Sequence, residues 1–302
     1  MFCEIILAPE VTFCSFLGQI IPRVNSATVN EGVKVAETMA DPKVCVSLDG
    51  TTVQELTDEA ARARLAGADM VELRFDRLFL VKPDPTISDE EEGEAPSLPA
   101  EEDWETTDFS TIDVEATISS LKEALPLPVV FAVRPVSEGG FFPGNEKQRI
   151  EVLEKAIASS VSWIDLELSI ADKKRQKLVE QAKANGCQII ASKHDINNMP
   201  DSDSISNIIR ENQDKGDIVK FCGTAHSHAD SLQVVEAAFQ LKGEELSHSL
   251  MGINGGGDWV RLHAPVLDQS LVYATLRNEF KLSDKGLINV RDLRDAWTLL
   301  EY

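Results

Sequence analysis

Three hundred and two residues, 43% apolar and 26% charged, describe a folded chain long enough for one large α/β domain. Acidic side chains outnumber basic ones 51 to 29, and the net charge of −22 repels nucleic-acid phosphates and argues against direct nucleic-acid binding. The longest apolar runs, such as residues 5–8 and 129–133, fall far short of the ~20 residues of a membrane helix.

Met1-Phe2-Cys3-Glu4 lacks the basic start of a secretory signal, and five cysteines without a CxxC pair read as reduced thiols. An intracellular location, cytoplasmic or nuclear, is therefore expected. Residues 1–42 hold two apolar stretches (3–8 and 11–21) split by Pro9, which suggests a short N-terminal cap. From residue 43 an alternation begins. Strand-like runs fall at 43–48, 69–76, 128–135, 162–168, 187–195, 217–223, 247–253 and 270–276. Helical patterns fall at 52–66, 118–124, 146–159, 171–185, 204–215, 228–241 and 290–300. Eight strand–helix units predict an α/β fold of the (β/α)8 TIM-barrel class over residues 43–302. The seventh unit is the weakest, because Pro265 interrupts its helix. No strand leads into a GxGxxG turn, which disfavours a doubly wound open sheet.

Residues 83–115 break the rhythm with 13 acids, no Lys or Arg, and four prolines. Such a stretch is expected to be an acidic surface insertion that buries no apolar face. It would be a solvated loop, or a docking segment for a basic partner.

A TIM barrel works at the C-terminal ends of its strands. Polar residues gather there: Glu72, Arg74 and Asp76 after the second strand, Arg134 and Glu138-Gly139-Gly140 after the third, Asp165 and Glu167 on the fourth. The fifth ends Ser192-Lys193-His194-Asp195, and the sixth carries Lys220. A lysine among apolar neighbours is either a desolvated nucleophile suited to Schiff-base chemistry or one half of an ion pair with a carboxylate such as Glu167. His194 can move a proton near neutrality. Glu72, Arg74 and Asp76 share one face, as a salt-bridge layer or as a polyol-binding set. Arg134 and Glu138 could orient a substrate or His194.

In this order and spacing, Glu72-Leu-Arg74-Phe-Asp76, Arg134-Pro-Val-Ser-Glu138-Gly-Gly, Asp165-Leu-Glu167, Ser192-Lys-His194-Asp195, Asp217-Ile-Val-Lys220 and Met251-Gly252 resemble the type I 3-dehydroquinate dehydratase family. The resemblance implies a barrel, usually dimeric, that needs no metal and no organic cofactor. It implies Lys220 as the Schiff-base lysine, His194 as the acid–base group and Glu138 as the carboxylate that orients it. It likewise implies Glu72, Arg74 and Arg134 as hydroxyl-binding groups, Arg261 as the carboxylate clamp and Ser283 as a serine of the closing lid.

The last quarter departs from the family pattern. Met251-Gly-Ile-Asn-Gly255-Gly-Gly-Asp-Trp-Val260-Arg261 carries two extra residues and sets Val260 where a serine is expected. In the lid, Leu287 takes the place of a glutamine that would hydrogen-bond the ligand. Each lost hydrogen bond to a buried polar ligand costs roughly 1–3 kcal/mol. These departures suggest catalysis lost or impaired. A barrel of this kind resembles the dehydroquinase-like portion of the fungal transcription repressor of quinate utilisation, and that resemblance implies a domain sensing a small molecule of the quinate or shikimate pathway or contacting a transcription activator protein. An active 3-dehydroquinate dehydratase is the alternative.

Overall fold

The computed structural model describes residues 40–85, 98–277 and 286–302. Eight parallel strands run in the order β7-β6-β5-β4-β3-β2-β1-β8, a nearly closed (β/α)8 barrel. They are β1 (Lys43–Ser47), β2 (Met70–Arg74), β3 (Val129–Ala132), β4 (Trp163–Glu167), β5 (Gln188–Asp195), β6 (Ile218–Thr224), β7 (His248–Ile253) and β8 (Leu271–Ala274). Between and after them lie α1 (Val53–Leu65), α2 (Val114–Ala124), α3 (Glu146–Ala158), α4 (Asp172–Ala184), α5 (Ser202–Glu211), α6 (His228–Leu241), α7 (Asp258–Leu262) and α8 (Val290–Leu299). Among the described residues no helix is long and apolar enough to cross a membrane.

The period of two along each strand sorts its side chains. On β6, Val219 and Phe221 face outward into an apolar cluster under α5 and α6. Ile218 faces the barrel interior with Met70, Val130, Trp163, Ile190 and Tyr273. Lys220 and Cys222 share that inward face. The same parity turns Glu72 and Arg74 inward on β2, Asp165 and Glu167 on β4, and Ser192 and His194 on β5, because Leu73, Leu166 and Ile189 take the outer cluster. Pairing of β5 with β6 sets Ser192 opposite Lys220 and His194 opposite Cys222.

The eighth edge closes differently. No ladder joins β7 to β8 among the described residues. Instead Ser270 N donates to His248 O (2.9 Å), Ser249 Oγ to Leu271 O (2.7 Å) and Leu250 N to the Gln269 side chain (2.7 Å).

Several boundaries differ from the sequence expectations. Helix α2 begins at Val114, capped by the Asp113 side chain on Ala116 N, inside the stretch read as the insertion. The seventh helix is only Asp258–Leu262, followed by a 3-10 turn over Ala264–Leu267 that contains Pro265. The C-terminal part of the acidic insertion is not a bare solvated loop. Phe109 meets Phe79 (6.0 Å) and Phe142 (5.5 Å), and Glu101 receives both Nη1 and Nη2 of Arg77. An aromatic ring and a guanidinium clamp give this stretch the apolar and ionic anchors that its composition hid. Residues 86–97 and the proposed cap, up to residue 39, lie outside the described residues.

Candidate active site

A buried ionic layer crosses the upper barrel. Arg134, just past β3, donates to Asp165 Oδ2 (2.9 Å), Glu167 Oε1 (3.0 Å) and Ser192 Oγ (3.2 Å). Arg149 of α3 takes the other oxygen of Glu167 at 2.7 Å. Two guanidiniums therefore occupy Glu167, and Lys220 does not pair with it. The Lys220 amine lies 3.2 Å from Glu72 Oε1 and 3.8 Å from Asp165 Oδ2. Glu72 also accepts from Ser47 Oγ at 2.7 Å. Burial alone would raise the Glu72 carboxyl, but Lys220, Arg134 and Arg74 outweigh it and bring it down to about 2. Lys220 is 3% exposed, so its amine meets the interior and not the outer wall.

His194 stands at the end of β5. Its Nδ1 is 3.0 Å from Glu138 Oε2 and 3.0 Å from Arg134 Nη1, and its backbone N donates to the same Glu138 oxygen at 3.1 Å. The two hydrogens on Arg134 Nη1 already go to Glu167 and Ser192. Nδ1 is thus best assigned as the donor to Glu138, which leaves Nε2 as an unprotonated acceptor. Burial, then the cations Arg134, Lys220 and Arg74, push the imidazole well below its usual range, so it stays neutral.

Around this pair lies a cavity of about 240 Å³, whose wall includes Glu72, Arg74, Arg134, Glu138, His194 and Lys220. Arg74 forks onto Asp76 (2.8 and 2.6 Å), and Asp76, in a 3-10 turn rather than on the strand, also accepts from Arg134 N and Phe141 N. The extra residues after β7 do not carry Arg261 away. It lines the cavity, with Nε on Tyr273 O (3.1 Å) and Nη1 on the carbonyls of Gly252, Gly257 and Gly286. Its Nη2 is buried and has no hydrogen-bond partner among the described residues. A buried guanidinium beside the cavity, with hydrogen-bonding capacity unused among the described residues, suits a carboxylate ligand. Val260 points elsewhere, into the apolar cluster with Val234 and Leu250. Leu287 does line the cavity. Ser283 lies outside the described residues.

The sequence reading missed Ser47, Tyr273 and Cys222. All three line the cavity, and each sits at an inward position that strand parity could have flagged. Among the described residues no group of three or more His, Cys, Asp or Glu side chains is arranged to hold a metal ion. A desolvated amine, a neutral imidazole with a free ring nitrogen, and guanidiniums on one wall can together bind an acidic carbonyl compound, condense with it and move its protons.

Comparison with known proteins points to one family. Curated relatives include the 3-dehydroquinate dehydratase of Methanosarcina barkeri, 30% identical over 61% of this chain and 77% of that protein. That of Methanopyrus kandleri is 22% identical over 85% of this chain and 99% of its own length. The type I 3-dehydroquinate dehydratase of Clostridium difficile, solved with covalently modified comenic acid, superposes with a TM-score of 0.69 at 21% identity, covering 86% and 92% of the two chains. The family model for type I 3-dehydroquinase matches residues 44–302, and with the barrel it spans the chain belongs to that family.

Proposed function

We propose that the barrel dehydrates 3-dehydroquinate to 3-dehydroshikimate through a Schiff base on Lys220. The observation that carries this reading is the opening of Lys220 and His194 onto one cavity, with Nδ1 of His194 engaged by Glu138 and Nε2 left free. Lys220 Nζ adds to the C3 carbonyl and water leaves, forming an iminium. His194 Nε2 takes a C2 proton while the electron pair moves toward the iminium nitrogen. The C1–O bond then breaks as His194 returns the proton to the departing hydroxyl, and hydrolysis of the conjugated iminium frees the product. Glu72, Arg74 and Arg134 would hold ring hydroxyls, and Arg261 Nη2 the carboxylate. The departures after β7 do not argue for lost catalysis, since Val260 faces away from the cavity and Arg261 lines it.

Leu287 favours a second reading. A leucine on the cavity wall cannot donate to a polar ligand, which would suit a dehydroquinase-like domain of a repressor of quinate utilisation that senses a pathway metabolite or contacts an activator protein. The deciding experiment mixes the protein with 3-dehydroquinate and follows enone absorbance, with borohydride trapping and peptide mapping in parallel. Turnover with an adduct on Lys220 supports the dehydratase. Ligand-induced thermal stabilisation without adduct or turnover supports the sensor.

A further inference from the structure

The Glu138–His194 pair is a partition between two cavities. On one side is the barrel mouth. On the other is an outer cavity of about 400 Å³, whose wall includes Glu138 and His194 together with Ser169, Lys193 and Lys215. Glu138 Oε2 is held by the backbone N and Nδ1 of His194. Its Oε1 faces the other way and accepts from Ser169 Oγ at 2.5 Å.

Ser169 is well placed to hold that oxygen. Leu168 N extends the ladder of β4 by donating to Ser192 O (2.7 Å), and Ile170 N turns back onto Glu167 O (3.2 Å). Ile170 is buried at 2% exposure. The backbone on both sides of Ser169 is thus anchored, while its hydroxyl reaches across to a carboxylate on a different loop.

We propose that Ser169 is a positioning residue, which keeps the Glu138 carboxylate turned toward His194 and so keeps the imidazole in the tautomer with Nε2 free. Water in the outer cavity can solvate Oε1, but it cannot fix the rotation of the carboxylate as an anchored hydroxyl does. Without Ser169, Glu138 rotates toward solvent and its bond to Nδ1 weakens. The imidazole then loses its counter-charge and samples both tautomers. The charged groups that bear on this ring are Glu138, Arg134 after β3, Arg74 on β2 and Lys220 on β6, with Lys193 and Asp195 as its neighbours along β5. Of these, Ser169 touches Glu138 alone, so the cations stay in place when Ser169 is changed.

The kinetic part of this inference rests on His194 being the base of the proposed dehydration; the imidazole part does not. The protein has five histidines, so nitrogen NMR of ring-labelled protein, assigned with His194→Gln, follows His194 without substrate. In Ser169→Ala the His194 titration should move to lower pH and its ring-nitrogen shifts toward a mixed tautomer, and Ser169→Thr should restore both. In turnover, kcat should fall about 5-fold with KM within about 2-fold, again rescued by threonine. An unchanged or raised His194 titration in Ser169→Ala overturns the proposal. Should the NMR response appear while the wild type fails to dehydrate 3-dehydroquinate, the dehydratase reading falls and the positioning role stands.

Discussion

Lys220 Nζ lies 3.8 Å from the centroid of the Tyr273 ring, so the amine rests on an aromatic face while Glu72 holds it at 3.2 Å. A cation over such a face gains about 1 kcal/mol or more when desolvated. An iminium that forms at this nitrogen from the neutral amine gains that contact as its charge develops. Tyr273→Leu should therefore slow adduct formation with 3-dehydroquinate about 5-fold, read by quenching with borohydride at timed intervals. Tyr273→Phe keeps the ring and removes a buried hydroxyl that has no hydrogen-bond partner among the described residues. That variant should trap at the normal rate and unfold about 1 kcal/mol later in urea.

The Lys220–Glu72 pair makes a separate prediction about stability. Lys220→Met leaves the Glu72 carboxylate with Ser47 and the more distant Arg134 (3.8 Å) as partners. Breaking a buried pair on one side destabilises by on the order of 3 kcal/mol. Adding Glu72→Gln should recover much of that loss. A double-mutant cycle in denaturant measures the coupling, and additive losses would show that the two groups act independently.

The pH dependence of turnover follows from His194. A base works only while neutral, and burial together with Arg134, Lys220 and Arg74 holds this imidazole well below the ordinary value of 6.5. Its protonation, and the fall in kcat, should therefore come well below pH 6.5, leaving a plateau through the range in which a free histidine titrates. Glu72, held near 2, stays ionised throughout. A kcat profile from pH 4.5 to 8 with its acid midpoint at 6.5 would show that the ring is not desolvated during catalysis.

Leu287 offers a gain-of-binding test. It lines the cavity without a polar atom on its side chain, so Leu287→Gln should tighten 3-dehydroquinate by roughly tenfold, the worth of one hydrogen bond to a buried polar ligand. Isothermal titration with the Lys220→Met background separates this affinity from turnover. No change in affinity would mean that the rim position does not reach the ligand.

Much of the site was legible in the sequence. Runs of β-branched residues marked the eight strands, their C-terminal ends singled out Asp165, Glu167, His194 and Lys220, and alternation put Glu72 and Arg74 on one face. What stayed hidden depended on partners far apart in the chain. Glu167 was a plausible mate for Lys220 until Arg149, on a different element, was seen to claim it. Arg261 looked displaced by the extra residues after β7, because the turn through Gly255-Gly256-Gly257 that absorbs them has no strand or helix period. Gly256 sits there at φ +81°, a left-handed conformation that favours glycine. Ser169 bore no motif at all. Only the meeting of the loops that follow β3 and β4 gives its hydroxyl a target.

The missing ladder between β7 and β8 has its own consequence. Seven edges of the ring are zipped by backbone pairs, and the eighth is stitched by Ser249, Gln269 and a single amide. Local opening is cheapest where a closed sheet has fewest such pairs, so the wall should breathe along this seam. Met251 and Arg261 both lie beside it, and a ligand gripped there would act as a staple across the one gap in the staves.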